Sequence, residues 1–84
     1  MKSKIELFVI DKVKHRRQEL NISQIQLSYL MDLSIGFIGK IESYKYPSSW
    51  NLDHLNKLAE ILNCSPKDFM PIKFIKENVT AVLE

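Results

Sequence analysis

Apolar residues recur along most of this chain at helical spacing. Ile5, Phe8, Val9 and Val13 step by three and four, which places them on one face of a first helix over about residues 4–20. Asn21 offers a left-handed cap at its end. Ser23 then opens a second helix, "SQIQLSYLM", where the hydroxyl can accept from free N–H groups of the first turn and Leu27, Leu30 and Met31 share a side. After "DLS", Ser34 caps a third helix, "SIGFIGKIE". "SYKYPSSWN" is rich in Ser and Tyr, contains a proline and reads as a loop, with Trp50 covering the core beneath it. Asn51 caps a fourth helix, whose Leu52, Leu55, Leu58, Ala59 and Leu62 make the clearest amphipathic face of the chain. Ser65-Pro66-Lys67-Asp68 combines a serine cap, a proline at the first helical position and an acid in the first turn, so a brief fifth helix begins there and ends at Pro71. The tail "IKFIKENVTAVLE" carries two signals. Its alternating start suggests extended chain, and Ile75, Val79 and Val82 suggest a last helix.

With 84 residues the chain is one domain. Two glycines and three prolines leave little turn material for a β fold, and 45% apolar content is that of a globular protein. The expected fold is all-α: a compact bundle of about five helices over residues 1–70 and a short tail over 71–84. A chain this short buries a modest share of its surface, so a dimer would help it.

Charge changes the picture slightly. Residues 1–50 hold eight Lys/Arg against five Asp/Glu, and residues 51–84 hold four against five. A basic front half suits an anionic partner such as nucleic acid, although a solvated surface accounts for an imbalance of this size equally well. Cys64 is alone and cannot form an internal disulfide, which fits a reducing cytosol and a cytoplasmic protein. His15 and His54 lack neighbours at metal-ligand spacing, so no metal or other cofactor is expected. No apolar run is long enough to span a membrane, and "MKSKIELFVIDK" lacks a signal-peptide cleavage site. No Ser/His/Asp set, carboxylate pair in a cleft or phosphate-binding glycine loop is apparent, which argues against an enzyme. Asp53 and His54 are adjacent, but neighbours on a helix point about 100° apart.

Two short helices joined by a tight turn inside a small helical domain is the helix-turn-helix plan. The ordered residues Arg17, Ser23-Gln24, Leu27-Ser28, Asp32, Leu33-Ser34, Ile38, Ile41-Glu42 and "LNKLAEILNCS" resemble the phage-repressor-like, Cro/CI-type (XRE) helix-turn-helix regulators. The resemblance runs from about Val9 to Met70 and puts the motif at about residues 23–42. It implies a lambda-repressor-like domain, double-stranded DNA as partner, a probe helix at 34–42 and a homodimer. It also implies an ion pair between Arg17 and Glu42 that ties the first helix to the end of the third. The loop after Glu42 is about two residues longer than the family pattern and lacks its glycine.

The resemblance places the candidate DNA contacts at Gln24, Gln26, Ser34, Ile35, Gly36, Phe37, Gly39, Lys40, Ser43, Tyr44 and Lys45, with Ser23 and Tyr46 as further backbone contacts. With Ile38 and Ile41 turned to the core, about 100° per residue puts Gly36 and Lys40 opposite, flanked by Phe37 and Gly39, with Ile35 at the border. Lys40 can donate to guanine or to a phosphate, whereas Ile35 and Phe37 can only touch a thymine methyl. The two glycines lower helix stability by roughly 1 kcal/mol each. Close approach of a partner or tight packing within the domain would account for them. Lys14 and Arg16, late in the first helix, either reach flanking phosphates or complement the helix dipole.

The reading helix is thus apolar where polar readers are usual. Two functions compete: a regulator, most simply a repressor, and a protein-interaction module on the same scaffold, such as an antitoxin or an accessory factor. Tyr and Trp in "SYKYPSSW" suit a protein partner. Phe69, Met70, Ile72, Phe74 and Ile75 are more apolar than a small monomer should expose, so the fifth helix and the tail are the expected place for a dimerisation element.

Overall fold

The structure, a computed structural model, describes residues 1–77. It contains α1 (Lys4–Glu19), α2 (Gln24–Met31), α3 (Ile35–Glu42), α4 (Leu52–Ile61) and a single 3-10 turn, Pro66–Phe69. The described residues form no strand. The predicted fifth helix is only this turn. Pro66 starts it and extended Met70 ends it, so four residues remain and i→i+3 bonds close them.

Each helix begins on a side chain that accepts from its own first turn. Ser3, Ser23 and Asn51 form reciprocal boxes with Glu6, Gln26 and His54, and Ser34 accepts from the Phe37 amide. Three helix ends turn through left-handed residues, Asn21, Asp32 and Asn63, at φ of 58°, 57° and 54°. Asn and Asp tolerate this region because their short side chains bond locally. No glycine is needed at any of these turns. Glycine therefore remains only in α3.

Val9, Ile10 and Val13 of α1, Leu27 and Met31 of α2, Ile38 and Ile41 of α3, and Leu55, Leu58 and Ala59 of α4 form one core with Trp50, Leu62 and Phe69. Each full side chain contributes roughly 1.5–3 kcal/mol by burial. Two leucines expected inside are exposed. Leu30 lies about 60° from Leu27 on the side away from Met31, and Ser28 takes the inner position. Leu52, the first residue of α4, is 81% exposed.

The chain from Pro71 to Glu77 runs without regular structure back to the start of α1. There the Glu77 carboxylate accepts from the Lys4 and Ile5 amides at 3.2 and 3.0 Å. A carboxylate at a helix N-terminus satisfies free donors and opposes the helix dipole. The expected helix through Val79 and Val82 lies outside the described residues. Among the described residues no helix is long and apolar enough to cross a membrane.

Candidate nucleic-acid interface

Helices of eight residues are too short to persist alone, so α2 and α3 depend on what anchors them. Arg17 is the first anchor. Its Nε and Nη2 donate to the two Glu42 oxygens at 3.0 and 2.9 Å, and its Nη1 donates to the Ile22 carbonyl at 2.7 Å. Both side chains are more than nine-tenths buried. One guanidinium therefore joins α1, the turn before α2 and the last residue of α3. Gln24 completes the site. Its Nε2 donates to Glu42 Oε1 at 2.8 Å, so the amide expected near DNA is committed to the scaffold.

Lys2 is the second anchor, and its charge gave no sequence signal for this role. The side chain is buried, and Nζ donates to the carbonyls of Lys40 at 3.1 Å, Ile41 at 2.7 Å and Ser43. These acceptors belong to the last turn of α3 and to its cap residue Ser43, the end at which a cation is favoured. Burial pushes the ammonium below the usual lysine range, and the Glu6 carboxylate opposes part of that shift.

Between these anchors the outward face of α3 is nearly bare. Ile35, Gly36 and Lys40 are exposed and Gly39 is half-buried. A Cβ built on either glycine would meet nothing within 4 Å. Tight packing inside the domain is therefore not the reason for them. Lys40 Nζ lies 5.5 Å from the centroid of the Tyr46 ring, a cation–π contact that joins the helix to the following loop.

Phe37 departs from the expected outward position. It is half-buried and packed on the core, with its ring 6.0 Å from that of His54, which in turn stands edge-on to Trp50 at 5.5 Å. Helix geometry explains this. Phe37 is only about 40° from Ile41, so the buried arc extends over it. Gln26 and Ser34 are exposed, and both oxygens serve as caps, which leaves their donors free. The Ser43 hydroxyl accepts from the Lys45 amide at 3.2 Å, while the Tyr44 and Lys45 side chains are exposed. Trp50 is buried beneath the loop.

Arg16 faces away from this surface. Its Nε and Nη2 donate to the Leu62 and Asn63 carbonyls at 3.0 and 3.3 Å, capping the end of α4. It lines a cleft of about 610 Å³ together with Lys12, His15, Cys64 and Asp68. Nothing on α3 borders that cleft. Among the described residues no three His, Cys, Asp or Glu side chains gather as a metal site would require.

Solved structures share this fold. The controller protein C.AhdI of a restriction-modification system from Aeromonas hydrophila superposes with a TM-score of 0.63 at 23% identity, over 76% of this chain and 96% of its own. FeII HppE superposes at 0.72 and 15% identity over 93% of this chain. The hydroxypropylphosphonic acid epoxidase of S. wedmorenis with fosfomycin gives 0.69 at 18% over 81%. This chain spans only 40% and 35% of those two, and at such identities the likeness is one of fold. No curated protein matches the chain by sequence. Residues 12–74, about three quarters of the chain, match the Cro/C1-type HTH DNA-binding domain. With the anchored α2–α3 pair and its outward helix, the chain belongs to the Cro/C1-type helix-turn-helix DNA-binding family.

Proposed function

We propose that the protein is a transcriptional regulator, most simply a repressor, that binds double-stranded DNA as a homodimer with α3 in the major groove. The observation that carries this reading is the open face of α3. Gly36 and Gly39 let the helix backbone approach a groove closely, and Lys40 is the cation beside them. Ile35 adds an apolar contact of the kind a thymine methyl accepts. Gln26, Ser34, Ser43, Tyr44 and Lys45 are the backbone contacts in this reading, and phosphate contacts supply half or more of the hydrogen bonds in such complexes. Gln24 and Phe37 support the reading from the scaffold side. Exposed Met70, Ile72 and Phe74 favour the tail as the dimer contact. The fold shared with a restriction-modification controller agrees with a regulator. The likeness to the epoxidases covers under half of those chains and gives no ground for assigning their chemistry.

Selection from random duplexes tests the proposal. A palindromic site with half-sites about 34–36 Å apart is expected, with affinity that falls as salt rises. Indifference to every duplex at all salt concentrations would sink it.

One observation favours a second reading, a protein-interaction module. No residue of α2 is charged, and Ile25, Tyr29 and Leu30 are half exposed or more. Lys40→Ala separates the two. A regulator loses its duplex, and an interaction module keeps its protein partner.

A further inference from the structure

We infer that Lys2 is a positioning residue for α3: its enclosed ammonium holds the last carbonyls of that helix and so fixes where Lys40 and the loop after it stand. This rests on the reading of α3 as the DNA-contacting helix. The three acceptors lie 38 to 41 positions away in sequence, so the contact joins the start of the chain to the end of α3. One acceptor is the carbonyl of Lys40 itself, the residue whose ammonium faces Tyr46. The seam is tight. The crevice lined by Lys2, Leu7, Lys14, Ser43 and Tyr44 holds only about 30 Å³, about the share of one water molecule. A buried lysine here has no route to a phosphate, so its effect on DNA must pass through the helix it holds. Arg17 fixes the same helix through the Glu42 side chain, whereas Lys2 fixes its main chain. With either anchor removed, the end of α3 can pivot about the other.

The test compares the full chain with Lys2→Met, which keeps the length and removes the donors, and Lys2→Gln, which keeps one donor group. Binding is measured on a selected duplex and on its scrambled version, well below every melting temperature. Lys2→Met is expected to reduce the preference for the selected duplex roughly tenfold, with scrambled binding and salt dependence unchanged and Lys2→Gln intermediate. Equal weakening on both duplexes with the salt slope reduced by about 1 would mark a phosphate contact and overturn the inference. A lower melting temperature with unchanged preference would also overturn it. Amide hydrogen exchange without DNA supplies the independent arm. Lys2→Met should speed exchange about tenfold in the last turn of α3 and at residues 43–45, and leave α4 unchanged. If the wild type selects no duplex, the regulator reading fails by itself and exchange decides this inference. Local acceleration upholds it, and uniform or absent acceleration overturns it. Where Lys2→Met does not fold, Lys2→Gln carries both measurements, read as a partial loss.

Discussion

Gln24 Nε2 lies 2.8 Å from the Glu42 oxygen that also accepts from Arg17 Nη2. A residue at the start of α2 thus shares a buried carboxylate with α1, and the crossing of the motif depends on that one group. Glu42→Gln should destabilise the fold by about 3–5 kcal/mol, because Arg17 is left buried without its counter-charge. Gln24→Ala should cost only about 1 kcal/mol, the usual net value of one hydrogen bond. Chemical denaturation of both variants checks the order. A Glu42→Gln loss below that of Gln24→Ala would show that the pair is not the anchor.

The contact between Lys40 and Tyr46 makes a second expectation. Tyr46→Phe keeps the ring under the ammonium, and Tyr46→Leu removes it. An exposed cation–π contact contributes about 0.5–1 kcal/mol, so Tyr46→Leu should weaken duplex binding a few-fold and Tyr46→Phe should not. Equal loss in the two would point to the hydroxyl as the contributing group.

Opposite signs are expected at the glycines. Gly39→Ala should stabilise the free protein by up to about 1 kcal/mol, since helix propensity rises and the new methyl meets no neighbour. In the complex the same methyl should cost about 1–3 kcal/mol of binding, as overpacking does. Thermal melting and duplex titration of Gly36→Ala and Gly39→Ala measure both quantities. Gains in stability without loss of affinity would remove the glycines from the DNA interface.

Few free cations line the proposed interface. Within the motif, residues 23–42, only Asp32, Lys40 and Glu42 are charged, and Glu42 is paired. With Lys40 and Lys45 as its phosphate contacts, each protomer should give a salt slope of about −2, at roughly −0.9 per phosphate. Titrations across salt concentrations read this directly. A much steeper slope would bring Lys14 and other basic residues into the contact.

Burial raises the Cys64 thiol above its ordinary range, an effect that Arg16 partly offsets and Asp68 reinforces. Thiolate is then scarcer in the folded protein than in the unfolded chain at the same pH. Folded Cys64 should alkylate more slowly than the denatured protein, with a midpoint above that of a free thiol. Because the unfolded thiol ionises first, this group withdraws stability as pH rises through and above about 8.5. Equal alkylation rates at every pH would contradict the burial.

The helix starts were legible because each is coded locally. Ser23, Ser34 and Asn51 stand where a cap is needed, one residue before an apolar period. Arg17 and Glu42 were legible only through family resemblance, since nothing within 25 positions of chain links them. Lys2 was not legible. A lysine near the start of a chain reads as solvated, and its carbonyl acceptors have no sequence signature at all. The contacts of Gln24 and Phe37 inside the domain were not legible either, because Glu42 and His54, which meet them, stand on other elements. Periodicity describes one helix at a time, and both contacts are made between helices.

The open space above Gly36 and Gly39 bears on how such a protein changes. Neither position supports the core, caps a helix or holds an ion pair. New side chains there would alter what α3 meets while leaving Arg17, Glu42 and Lys2 undisturbed. On the proposed reading of α3, specificity can therefore drift, or be redesigned, by substitutions that leave the core and both anchors intact.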